Sequence, residues 1–253
     1  MNITFLGTGV AIPQTDRVQS GMVVEIEGKP ILFDCGCGIL NRIFESRYRH
    51  TDIDTVVLSH LHLDHVADVL CLIKANWLCD KNDIKVYGPV GTSEWIESLL
   101  DVYEYLQGKS NIIVIEISAG DSFTPAGLSC NISCADGMHS VPSLGYRVES
   151  GGSVMVYSGD TQPCKSIMDL SHNADILIHE CSFPNGFDIT NHTTPEMFVE
   201  YMNHYNPNVS ILYLTHLYPH MQGHEQESVE YLKKNLKDIN DVKIAADLME
   251  ITI

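Results

Sequence analysis

The chain has 253 residues, of which 44% are hydrophobic and 8% aromatic, enough to bury a full core at the upper size of one domain. With 15 Lys and Arg against 33 Asp and Glu, the formal charge is −18, which repels polyanions at long range and argues against a broad nucleic-acid-binding face. The longest apolar runs, residues 112–117 and 209–214, fall well short of the roughly 20 residues of a membrane span.

The chain opens on a short β-type run, residues 3–6, ending at Gly7-Thr8-Gly9, with no basic region or long apolar stretch before it. Nothing there directs export, so a cytoplasmic location is expected. Residues 22–26 and 31–33 follow as strands around the turn Glu27-Gly28-Lys29-Pro30. Residues 38–48 read as a helix, 55–58 as a strand stopping at Ser59-His60, and 64–78 as one helix from the spacing of Val66, Val69, Leu70, Ile73 and Trp77. A strand at 84–87, a helix at 93–106 and a strand at 112–117 complete the first half. Strands at 128–134, 144–148, 154–157, 176–178 and 211–214, with helices at 194–204 and 225–237, make the second. Strands followed by helices, twice over, predict an α/β fold in which two βα halves, about 1–120 and 121–253, face each other sheet to sheet within one domain. Eight cysteines without a Cys-x-x-Cys pair read as thiols, and Cys35-Gly-Cys37 as packing around a tight turn.

The segment Ser59-His60-Leu61-His62-Leu63-Asp64-His65 places three imidazoles and a carboxylate on a strand-to-helix loop. Those are donors that zinc favours, and burying them with no cation to organise them is costly. His60 and His62 alternate along extended chain, whereas Asp64 and His65 begin the helix, so the two pairs point to two adjacent metals. His139, Asp160 and His216 stand at other strand ends and supply the remaining ligands.

This pattern, with Phe33-Asp34-Cys35-Gly36 before it, resembles the metallo-β-lactamase superfamily along nearly the whole chain. The resemblance implies a four-layer αββα sandwich. It also implies two Zn²⁺ per chain, with Mn²⁺ or Fe²⁺ as substitutes: His60, His62 and His139 on one ion, Asp64, His65 and His216 on the other, and Asp160 bridging. Asp34 is then structural. Phe5-Leu6-Gly7-Thr8-Gly9, the run from His139 to Arg147, Leu177-Ile178-His179-Glu180-Cys181-Ser182-Phe183 and Asn191-His192-Thr193-Thr194 resemble the ribonuclease Z branch. By that likeness Glu180 and His192 become catalytic candidates beside Asp64, and a homodimer is expected, as relatives in that branch are often dimers.

Two departures matter. That branch carries a tRNA-gripping arm between the positions of His139 and Asp160, where this chain is short, and the elements after Cys35-Gly36 and His216 continue differently, with Cys37 and with Leu217-Tyr218-Pro219-His220. Together with the acidic charge they argue against structured tRNA and for a phosphodiesterase acting on a small-molecule or short nucleotide substrate. In that scheme a metal-bridging hydroxide attacks, and His192, held by Glu180, protonates the leaving alkoxide. A lactonase or thioester hydrolase on the same ligands is the rival. His50, His172, His204, His220 and His224 have no assigned role, though His220 and His224 follow His216 closely enough to line the cleft mouth.

Overall fold

The first strand, β1 (Asn2–Gly7), is apolar and buried on both faces, as a central strand must be. It pairs antiparallel with β2 (Gly21–Ile26), which turns back into β3 (Lys29–Phe33) through Glu27 and Gly28. Both turn residues have positive φ, 52° and 79°, the geometry that a two-residue hairpin needs. From β3 onward pairing is parallel, through β4 (Thr55–Val57), β5 (Asp83–Gly88) and β6 (Asn111–Glu116). Parallel neighbours require crossovers, and α1 (Ile39–Glu45), α2 (Leu63–Val66), α3 (Val69–Trp77) and α4 (Thr92–Val102) supply them.

The helix expected over 64–78 is broken between α2 and α3. Asp68, at the break, donates its backbone N–H to Cys35 O at 2.9 Å, and its Oδ2 accepts from the backbone of Gly38 (2.9 Å) and Leu40 (3.0 Å). One carboxylate thus caps the start of α1, which has no side-chain cap of its own.

The second sheet repeats the plan. Strands β7 (Ser122–Phe123), β8 (Cys130–Asp136), β9 (Leu144–Ser150) and β10 (Ser153–Tyr157) are antiparallel neighbours, and β11 (Ile176–Glu180), β12 (Ile211–Thr215) and β13 (Asp241–Ile244) continue in parallel from β10. Helices α5 (Lys165–Leu170), α6 (Pro195–Tyr205) and α7 (Glu225–Asn235) make the crossovers. The last strand, β14 (Glu250–Thr252), returns to the first sheet beside β1, so each sheet has seven strands.

The structure, a computed structural model describing residues 1–253, is therefore a four-layer αββα sandwich, as expected. Phe5, Phe33, Tyr146, Tyr157, Ile178 and Tyr213 fill the space between the sheets, and separate apolar layers lie under the helices on each outer face. Each such side chain contributes about 1.5–3 kcal/mol through burial. No helix is long and apolar enough to cross a membrane. The parallel strands β4, β10 and β12 end at the loops that carry His60, Asp160 and His216, Glu180 is the last residue of β11, and ligands in α/β sheets gather at such carboxyl ends.

Candidate metal centre

The floor of the site is Asp34, fully buried just beyond β3. Its Oδ1 accepts from Ser59 N at 2.7 Å, and its Oδ2 from Ser59 Oγ (2.8 Å), Tyr157 Oη (2.7 Å) and His65 Nδ1 (2.8 Å). With its hydroxyl proton committed to Asp34, Ser59 accepts from His60 Nδ1 at 3.0 Å. Gly36 lets the two loops touch, since a Cβ there would lie 2.0 Å from Asp64 O.

In the second half, His139 Nδ1 donates to Asn191 O at 2.8 Å. Ser182 Oγ donates to Glu180 Oε2 at 2.6 Å and so accepts from His216 Nδ1 at 3.1 Å. His216 sits at φ 56°, a left-handed conformation that costs a non-glycine residue about 1 kcal/mol and turns its ring inward. The acceptors at Nδ1 place the proton there in His60, His65, His139 and His216, leaving each Nε2 lone pair free; outer partners of metal-binding histidines do the same.

These Nε2 atoms converge. Asp160 Oδ1 lies 3.3 Å from His65 Nε2, and its Oδ2 lies 3.2 Å from His216 Nε2 and 3.8 Å from His60 Nε2. His62 Nδ1 and His139 Nε2 are 3.1 Å apart, and Asp64 Oδ2 is 3.5 Å from His216 Nε2. Ligands bound tetrahedrally at about 2.0–2.1 Å are separated by about 3.3 Å. Two groupings emerge, one of His60, His62, His139 and Asp160 and one of Asp64, His65 and His216, with donor atoms within 4.8 Å of one another in each. Asp160 stands between them. A third grouping joins His192 to Asp160 and His216.

His60 Nε2, His65 Nε2, His216 Nε2 and Asp160 Oδ1 are buried and have no hydrogen-bond partner in the protein. Each such orphan costs about 1–3 kcal/mol, so four aimed at one point fit a cation rather than a packed interior. The charges agree. Burial and the neighbouring His65 push His60 well below the usual imidazole range. Burial also opposes charge on His65, yet Asp160 and Asp34 drive it well above that range. Asp160 stays ionised against its burial because His216 and His65 flank it. The carboxylates call for positive charge that the imidazoles alone supply at the expense of their lone pairs.

Beside this cluster, buried Glu180 is saturated. Its Oε1 accepts from Thr161 N (2.8 Å) and His192 Nδ1 (3.0 Å), and its Oε2 from Ser182 Oγ and from Thr193 N (3.1 Å). Burial lowers the basicity of His192, but the Glu180 hydrogen bond and charge prevail and raise it to about 8. His192 Nε2 points away from Glu180, 3.5 Å from Tyr218 Oη.

All seven expected ligands and both members of the expected acid pair thus meet at one edge between the two sheets. Sequence reasoning gave no role to Ser59, Tyr157, Ser182 or Asn191; Ser182, two residues past Glu180 on a strand end, carried the one signal available. His50 bonds Asn76 at 2.8 Å away from the cluster, and His224 pairs with Glu227 at 3.1 Å on α7. His172 and His204 are exposed, whereas His220 lies against Phe183 near the site.

Residues 29–217 match the family model described as a beta-lactamase superfamily domain, and the chain belongs to that superfamily. Ribonuclease Z of Mycobacterium bovis is 31% identical over 194 residues, covering 71% of this chain and 69% of the relative. Ribonuclease Z of Methanosarcina acetivorans is 28% identical, covering 100% of this chain and 98% of the relative. Among solved structures, the short form of human tRNase Z superposes with a TM-score of 0.79 at 26% identity, covering 100% of this chain and 99% of that one. Within the superfamily the chain is ribonuclease Z-like.

Proposed function

We propose that the protein is a zinc-dependent phosphodiesterase that hydrolyses small or single-stranded phosphodiesters. The observation that carries this is the Glu180–His192 pair, 3.0 Å apart, with a ring nitrogen of His192 within 4.8 Å of donor atoms of Asp160 and His216. Alkoxides of sugars are poor leaving groups and need a proton as they depart; carboxylic esters and lactones need one less.

His60, His62 and His139 would hold one ion and Asp64, His65 and His216 the other, with Asp160 shared. A pair of divalent ions held by these residues would supply Lewis acidity toward phosphoryl oxygen and an acidified water. Asp64 would orient the attacking water or accept its proton. His192 delivers its Nε2 proton to the leaving oxygen, and Glu180 steadies the resulting changes in charge. Groups from both sheets build the site, so residues 1–253 act as one domain, and eight free cysteines suit a reducing cytoplasm.

Two features support a small substrate. Strands β9 and β10 are joined directly at Gly151-Gly152, filling the stretch between His139 and Asp160 with a plain hairpin. The alignment with the Methanosarcina relative spans 304 positions against 253 residues here, so that relative carries segments this chain lacks. The test is side-by-side turnover by zinc-loaded protein of bis-p-nitrophenyl phosphate, a 2′,3′-cyclic nucleotide, a precursor tRNA and a simple lactone. Diester cleavage without tRNA cleavage is expected; lactone turnover alone would reject the proposal.

A further inference from the structure

Two loops run side by side at the lip of the cluster. Residues 181–194 connect β11 to α6, and residues 216–224 follow β12; Tyr218 N donates to Ser182 O at 3.1 Å and ties one to the other. On them four aromatic rings stand in contact. Phe183 and Tyr218 stack with centroids 4.6 Å apart and planes at 27°. Phe183 lies 5.1 Å from His220 and 5.5 Å from Phe187, and Phe187 meets His220 at 5.5 Å and 68°. The inner end of this row reaches the acid: the Tyr218 ring centroid is 5.4 Å from that of His192.

The outer end is open. Phe187 is 43% exposed and His220 is exposed, so two ring faces meet water where burial would be favourable. We propose that Phe183, Phe187, Tyr218 and His220 form a stacking platform for a nucleobase on the leaving-group side of the scissile phosphodiester. This deepens the phosphodiesterase reading and rests on it for the word leaving: the group nearest His192 is the one whose oxygen His192 protonates.

A planar heteroaromatic ring is the occupant that this surface selects. Base–aromatic stacking needs no hydrogen-bond readout, so the platform accepts any base. Recognition through a π face also suits a chain whose charge of −18 opposes tracking along a polyanionic backbone.

Calorimetric titration of zinc-loaded protein with adenosine 3′-monophosphate and with methyl phosphate tests this without requiring turnover. Adenosine 3′-monophosphate is expected to bind about tenfold tighter or more, the scale of one stacked base. Phe187→Ala and His220→Ala each lower that ratio several-fold and together bring it near one, whereas Phe187→Tyr preserves it. Equal affinities in the parent protein, or an unchanged ratio in the doubly substituted protein, would overturn the platform. The two proposals separate cleanly: a base preference without diester turnover rejects the reaction and keeps the platform, and diester turnover with a ratio near one does the reverse.

Discussion

From the first half of the chain, four candidate ligands arrive within the six residues His60 to His65, whereas the second half delivers His139, Asp160 and His216 from three separate strand ends. Their supports differ in the same way. Asp34 alone holds Ser59, His65 and Tyr157. In the second half His139 leans on the carbonyl of Asn191, His216 on Ser182, and the backbone of Asp160 on Ser143. A concentrated motif with one shared anchor is easy to recognise and easy to break at a single point. A dispersed one is hard to see and tolerates loss piecemeal.

The largest expected effect is at the junction of the two halves. Asp160→Ala removes the carboxylate shared by both groupings and should abolish most metal binding, with turnover reduced by about a thousandfold or more. Mass spectrometry that still finds two ions per chain would break the scheme. Next, Asp34→Ala should destabilise the protein by about 3–5 kcal/mol, because it leaves several buried partners unpaired at once. Ser182→Ala should cost about 1 kcal/mol. Equal losses in thermal unfolding would erase the contrast between shared and separate support.

A smaller and more selective effect is expected outside the ligand set. His192→Ala should retain metal and slow diesters with poor leaving groups by about 10²–10⁴-fold, with much less effect on activated aryl esters. Equal slowing on both would exclude general-acid catalysis. The pH profile sharpens this. Glu180 raises His192 to about 8, so the acid is protonated below that value and activity depending on it falls as pH rises through it. Divalent ions bound alongside lower that value, but Glu180→Gln still removes a stabilising charge and should move the alkaline limb to lower pH. The smallest effect belongs to His224→Ala. Its ring is exposed and paired only with Glu227, so stability should change by less than about 0.5 kcal/mol and turnover not at all.

The contrast between the halves also explains what the sequence made legible. Strands β1 to β6 and the ligand loop follow from apolar runs and turn residues close together in the chain. The break between α2 and α3 escaped because Asp68 acts on α1, a tertiary event that helical periodicity does not register. Helix α5 spans six residues and the paired part of β7 only two, too short for a pattern to develop. Edge strands β13 and β14 are half-exposed and carry little apolar signal. Ser182 was hidden for a different reason: serines are common at strand ends, and only the position of its hydroxyl between Glu180 and His216 distinguishes this one.

The hairpin between β9 and β10 bears on how such a protein changes over time. Its tip, Gly151-Gly152, is exposed, has positive φ at both residues, and has no neighbouring atom within 4 Å of an added Cβ. Loop tips of this kind accept inserted segments without disturbing the framework beneath. An arm grafted there would alter what the protein can grasp while leaving every donor around Asp160 where it stands. Reach and reactivity are thus separable traits in this architecture, free to be gained or shed one at a time.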